Sequence, residues 1–145
     1  MQLFSADRRI EGWIIALEER MVDVLNSRET LRVCVDPALD AWETFDRDEL
    51  LLVGPPPLPG PSQRAVHRQK QRVLVNVGPY VAEGVVYLPP GTPPDPYLLR
   101  TRQRFLALTN AVVSRPDDPG SDLSLPVVLV NLHAVEEMRG LLKLA

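Results

Sequence analysis

Residues able to do chemistry are few and far apart in this chain. One cysteine, Cys34, and two histidines, His67 and His133, are its whole supply of thiol and imidazole. Nucleophilic catalysis needs a hydroxyl or thiol held beside a base. Cys34 sits in the alternating run Thr30–Val35 (TLRVCV) with no histidine adjacent, which reads as inert packing. His67 falls in a polar linker and His133 beside the C-terminal tail, and both read as structural or solvated imidazoles. A structural zinc site takes about four Cys, His or acid ligands. One cysteine and two histidines cannot build the usual kind. Neither GxxxxGK[ST] nor GxGxxG occurs. Asp117, Asp118 and Asp122 lack calcium-loop spacing and read as a solvated turn. Glu11 and Glu83 are the only acids that recur in matching contexts. They are the sole basis for a carboxylate enzyme, and a solvent-facing strand bend is the plainer reading. The expectation is a chain with no catalytic residue, no metal ligand, no cofactor and no evident small-molecule substrate.

Charge offers more. Arg64, Arg68, Lys70 and Arg72 cluster within one short segment. They are the candidate partner-binding residues, suited to phosphates or an acidic partner, with a solvated linker face as the alternative. Against them stands an acidic stretch with Asp36, Asp40, Glu43, Asp46, Asp48 and Glu49. The two segments could pair within a chain or between chains; exposed pairs add little stability but set orientation. The formal net charge of −3 is no footprint for general nucleic-acid or anionic-membrane binding.

The elements that would position these groups are mostly strands. At 145 residues and 45% hydrophobic, the chain is one ordinary domain or two very small ones sharing a core. No apolar run approaches the roughly 18–20 residues that span a bilayer, so no membrane insertion is expected. The opening MQLFSADRR lacks a signal-peptide pattern, and the expected location is cytoplasmic. Strands are predicted over Arg9–Leu17, Thr30–Val35, Leu50–Val53, Arg72–Val77, Tyr80–Leu88, Phe105–Val113 and Val127–Asn131. Short helices are predicted over Glu19–Asn26 and from Asp95 to Gln103, the latter capped by Asp95-Pro96. Asp36–Glu49 reads as a polar excursion; Ala134–Ala145 carries a helical stripe that favours a helix, with a further strand, which would make the two halves more alike, as the alternative. Fifteen prolines punctuate the pattern, five of them in Pro55–Pro61, where they favour a semi-rigid spacer.

An internal repeat links these elements. Glu11-Gly12 superposes on Glu83-Gly84, Val24-Leu25 on Leu98-Leu99, and Leu31 on Phe105. Gly12 and Gly84 are the predicted structural bends, since glycine inside a strand marks a bulge or close approach. Residues 1–54 form the first module, 55–71 a Pro-rich and then basic linker, and 72–145 the second module.

The second half, VLVNVGPYVAEGVVYL, FLALTNAVV and VVLVNLHAVEEM, resembles a class of uncharacterised bacterial small-barrel domains. MVDVLN (Met21–Asn26) matches their "DLLN"-like helical turn, and Val128–Asn131 their closing "V-x-V-N" strand. The chain is also distantly similar to Sm-like barrels, in which a glycine bends the second strand. That resemblance implies a mainly β fold with short helices: two tandem small-barrel-like β-β-α-β-β modules packed together. It also implies an RNA pocket, for which Asn110 and Asn131 are the candidates, with His133 departing from the expected basic-glycine element. The expected function is non-enzymatic: a self-associating or partner-binding assembly module, with Sm-like RNA binding as the alternative.

Overall fold

The computed structural model describes residues 1–14, 21–56, 69–88 and 103–141. Among these residues the fold is mainly β, with one α-helix. In chain order the elements are β1 (Gln2–Phe4), β2 (Arg9–Glu11), α1 (Met21–Ser27), β3 (Thr30–Asp36), β4 (Ala41–Asp46) and β5 (Leu52–Gly54). Then come β6 (Gln69–Val77), β7 (Tyr80–Leu88), β8 (Phe105–Ser114), β9 (Leu123–Asn131) and β10 (Val135–Leu141). Short 3-10 turns lie at Pro37–Leu39, Arg47–Glu49 and Leu132–Ala134.

Eight strands form one sheet in the order β10-β6-β7-β8-β9-β5-β1-β2, and β3 pairs with β4 in a separate ribbon. A single bridge, Trp13 to Cys34, ties the ribbon to the chain just after β2. Each half therefore follows the same path. Its fifth strand lies beside its first, followed outward by its second, third and fourth. The order is β5-β1-β2-β3-β4 in one half and β10-β6-β7-β8-β9 in the other. In both, a 3-10 turn joins the fourth strand to the fifth. Asp46 caps one by accepting from the Asp48 N–H, and Asn131 caps the other by accepting from the His133 N–H. Among the described residues no pairing closes either half into a barrel.

Two expectations are corrected here. Asp36–Glu49 is not a polar excursion: it contains β4, whose Phe45 enters the core. The tail stripe is not a helix. Val135–Leu141 pairs antiparallel with β6, and only Met138 on it is buried. The unpaired edge of β6 decides between helix and strand, because strand preference is set by available neighbours. Strand β6 also begins at Gln69, inside the expected linker. The rest of that linker, 57–68, the predicted helix up to 102 and the end of the tail, 142–145, lie outside the described residues.

Strand register aligns the two halves residue by residue. Trp13 faces Cys34, and Val85 faces Thr109. Because Trp13 and Val85 follow the two bend glycines, Leu31 corresponds to Leu106 rather than to Phe105. A Cβ on Gly12 would lie 2.3 Å from Val33 Cγ1, and one on Gly84 would lie 2.9 Å from Leu108 Cβ. Both glycines thus permit the second strand to cross close over the third. At Gly84 the β7–β8 register shifts. The extra residue on β8 is Asn110, with φ of 48°. Across from it β9 places Pro126, which has no N–H to leave unpaired.

The core is split by the continuous sheet. Adjacent strand residues point to opposite faces, and Leu52 and Val53 enter different clusters. One cluster holds Leu52, Phe4 and Leu51 with Val75, Tyr80 and Val130. The other holds Val53, Leu3 and the α1 residues Met21, Val24 and Leu25 with Phe105 and Leu129. Each half contributes side chains to the other half's core.

Candidate assembly interface

The site with the most structure is the junction between the halves, where β5 lies antiparallel to β9. Leu52 pairs with Val130 and Val53 with Leu129. All four side chains are buried. Burying each such side chain contributes about 1.5–3 kcal/mol. This is an edge-to-edge joint, fifth strand of one half to fourth strand of the other.

Two asparagines stitch it. Asn131, 1% exposed, donates through Nδ2 to the Leu50 carbonyl at 3.0 Å and the Arg47 carbonyl at 3.3 Å, while its Oδ1 caps the 3-10 turn. Its backbone N–H donates to the Leu51 carbonyl. Asn26, at the end of α1, accepts through Oδ1 from the N–H groups of Arg104 and Phe105, both at 2.8 Å. Arg47 Nη1 donates to the carbonyls of Leu25 and Asn26, satisfying the α1 C-terminus with a cation. The Arg104 guanidinium pairs with Asp48. Both asparagines stand in motifs that carry the small-barrel resemblance. Their role as fasteners between halves has no signature in spacing, because it depends on the two halves docking.

On the other face of the joint, Phe4 meets Tyr80 edge-on at 5.4 Å between ring centroids. The Tyr80 hydroxyl donates to the Ser5 carbonyl at 2.7 Å. Burial pushes the Tyr80 phenol above its ordinary pKa, opposed by the nearby Arg115 charge. A cleft of about 160 Å³ opens here, lined by Phe4, Arg9, Tyr80 and Arg115 among others. That is below the roughly 300–1,000 Å³ of small-molecule sites.

The sequence-predicted site residues are distributed differently. Arg64 and Arg68 lie outside the described residues, as does His67. Lys70 and Arg72 share the outer side of β6. Lys70 Nζ lies 6.0 Å from the Tyr87 ring centroid, and Arg72 pairs with Glu83 at 3.2 Å. Within the acidic stretch, Glu43 pairs with Arg8 and Asp48 with Arg104 among the described residues. Of the two asparagines considered for an RNA pocket, Asn110 is an exposed bulge residue. The Asn131 amide is fully engaged in the joint. Cys34 is buried in a row between Trp13 and Trp42, its neighbours on either side. His133 is exposed. Among the described residues no group of three or more His, Cys, Asp or Glu could hold a metal. No family model, curated protein or solved structure matches the chain.

Proposed function

We propose that this chain is a non-enzymatic assembly module, made of two small-barrel-like repeats, that self-associates or enters a larger complex through open strand edges. One observation carries the reading. The two halves already join by edge-to-edge strand pairing, and the corresponding outer edges, β4 and β10, have no second neighbour among the described residues. An unpaired strand edge presents a row of N–H and C=O groups suited to pairing with another chain. The Pro-rich stretch at Pro55–Pro61 fits a spacer between the repeats.

RNA binding is the second reading, and Lys70 beside Tyr87 on an exposed sheet face supports it, since cation and aromatic together suit single strands. A concentration series by sedimentation velocity addresses both. Assembly predicts a sedimentation coefficient that rises with protein concentration, with or without added oligonucleotide. RNA binding predicts co-sedimentation of a labelled single-stranded RNA at low salt, lost at high salt. A strict monomer that carries no RNA would remove self-association and RNA binding alike, and would leave the open edges to a different protein partner.

A further inference from the structure

The register supplies a map between the internal joint and the two edges, β4 and β10, that have no second neighbour among the described residues. On the fifth-strand side, Val53 faces Leu3 as Met138 faces Val75, and Leu52 faces Phe4 as Glu137 faces Asn76. On the fourth-strand side, Leu31 faces Phe45 as Leu106 faces Val130. Thr30 faces Asp46 as Phe105 faces Asn131. The turn between first and second strands pairs Val77 with Tyr80 in one half; in the other, Ser5 donates to the Arg8 carbonyl. Arg8 therefore stands where Tyr80 stands.

The side chains at these matched positions change in a concerted way. Inside the chain, Phe4 and Leu52 meet Tyr80 and Val130 in one apolar cluster. At the free β10 end the counterparts of Phe4 and Leu52 are Asn76 and Glu137, bonded to each other at 3.3 Å. At the free β4 end the counterparts of Tyr80 and Val130 are Arg8 and Phe45, and the Arg8 guanidinium lies 5.5 Å from the Phe45 ring centroid. One end thus presents an acid where the joint has leucine. The other presents a cation where the joint has tyrosine. Both groups are about half exposed, with side-chain exposures of 51% for Glu137 and 48% for Arg8.

We propose that β10 of one chain pairs antiparallel with β4 of a second copy, repeating the β5–β9 joint in polar form, with Glu137 of one copy set against Arg8 of the other. This rests on the self-association reading above and names its partner and polarity. Glu137 then faces Phe45 across the strands, and Met138 faces Thr44. Within each copy Arg8 already pairs with Glu43, and Glu137 with Arg139, so the contact forms a four-charge cluster of alternating sign. The joint is head-to-tail, so every open assembly keeps one free edge of each kind, at its two ends, until a ring closes. It is also weaker than the internal joint. Asp46 occupies the Asn131 position, and its carboxylate cannot donate to the facing carbonyls as the amide does. The association is therefore reversible and salt-sensitive.

Sedimentation velocity on the full chain tests this, with Arg8→Glu, Glu137→Arg and the double variant. Each single variant weakens association about tenfold or more, the size expected when one charge contact becomes repulsive. The double variant recovers it, as does mixing the two single variants, because each then offers the other a complementary edge. Melting temperatures near that of the parent chain confirm that exposed substitutions leave the fold intact, and the neutral pair Arg8→Gln and Glu137→Gln repeats the test without charge reversal. Association that ignores all these changes and salt overturns the β4–β10 assignment while leaving self-association standing. A strict monomer overturns both.

Discussion

The two halves share a strand order but not a division of labour. In the second half, β6 to β9 run nine or ten residues each and supply a broad sheet. In the first half, β1, β2 and β5 are three residues long, and the core is filled out by α1. Phe105 and Leu129, from the second half, complete that core. A repeated topology therefore does not require repeated packing. Where a longer neighbour supplies a wall, the shorter half follows the same strand order with different side-chain packing.

The largest test of this dependence is Phe105→Ala. Phe105 is fully buried in the first half's cluster although it belongs to the second half's strand. Truncation is expected to cost about 3–5 kcal/mol. Both tryptophans, Trp13 and Trp42, lie in the first half. Their fluorescence should follow the same denaturant transition as far-ultraviolet ellipticity. Two separate transitions would break the comparison, since the halves would then be independent.

Asn131→Asp sharpens it at smaller cost. The substitution gives the second half what the first half has at Asp46: a cap that accepts but cannot donate. The turn keeps its acceptor, while the Leu50 and Arg47 carbonyls lose their donor. A loss of about 1–3 kcal/mol is expected by urea unfolding, and Asp46→Asn should cost far less. Equal effects at the two sites would show that Asn131 acts only as a cap.

Tyr80→Phe gives the smallest expected effect at neutral pH, about 1 kcal/mol from its bond to the Ser5 carbonyl. It also carries a pH signature. Burial raises the folded-state pKa of Tyr80, so the folded chain holds its proton where the unfolded chain has begun to release it. The stabilising contribution is complete below the unfolded pKa, near pH 10, and is lost as pH rises through the folded value. Thermal melts above pH 10 should fall more steeply for the parent chain than for Tyr80→Phe; parallel slopes would exclude Tyr80 as the source.

Much of the strand pattern was legible because apolar alternation and proline punctuation coincide. Tyr80–Leu88 has the bounds predicted for it, and Gly12 and Gly84 occupy matching close crossings. Strand β4 was hidden by its acids. In AWETFD only Phe45 is buried, so the hydrophobic signal rests on one residue, although Trp, Thr and Phe are all strand formers. Strand β10 was hidden by a coincidence: Val135, Met138 and Leu141 have helical spacing, and only pairing with β6 makes them a strand. The joint itself left almost no trace. Asn26 and Asn131 end the apolar runs MVDVLN and VLVN, but what they fasten is set by strands distant in sequence.

The pairing of β5 with β9 also has a consequence in time. Leu52 and Val53 leave the ribosome well before Leu129 and Val130, which must arrive to cover them. At about 5–20 residues per second, the nascent first half waits several seconds with this strand edge bare. The polypeptide behind it must be finished before the first half can be. Translation speed through the intervening segment, and chaperones able to shield a short aliphatic strand, therefore bear on how much of the chain reaches its native form.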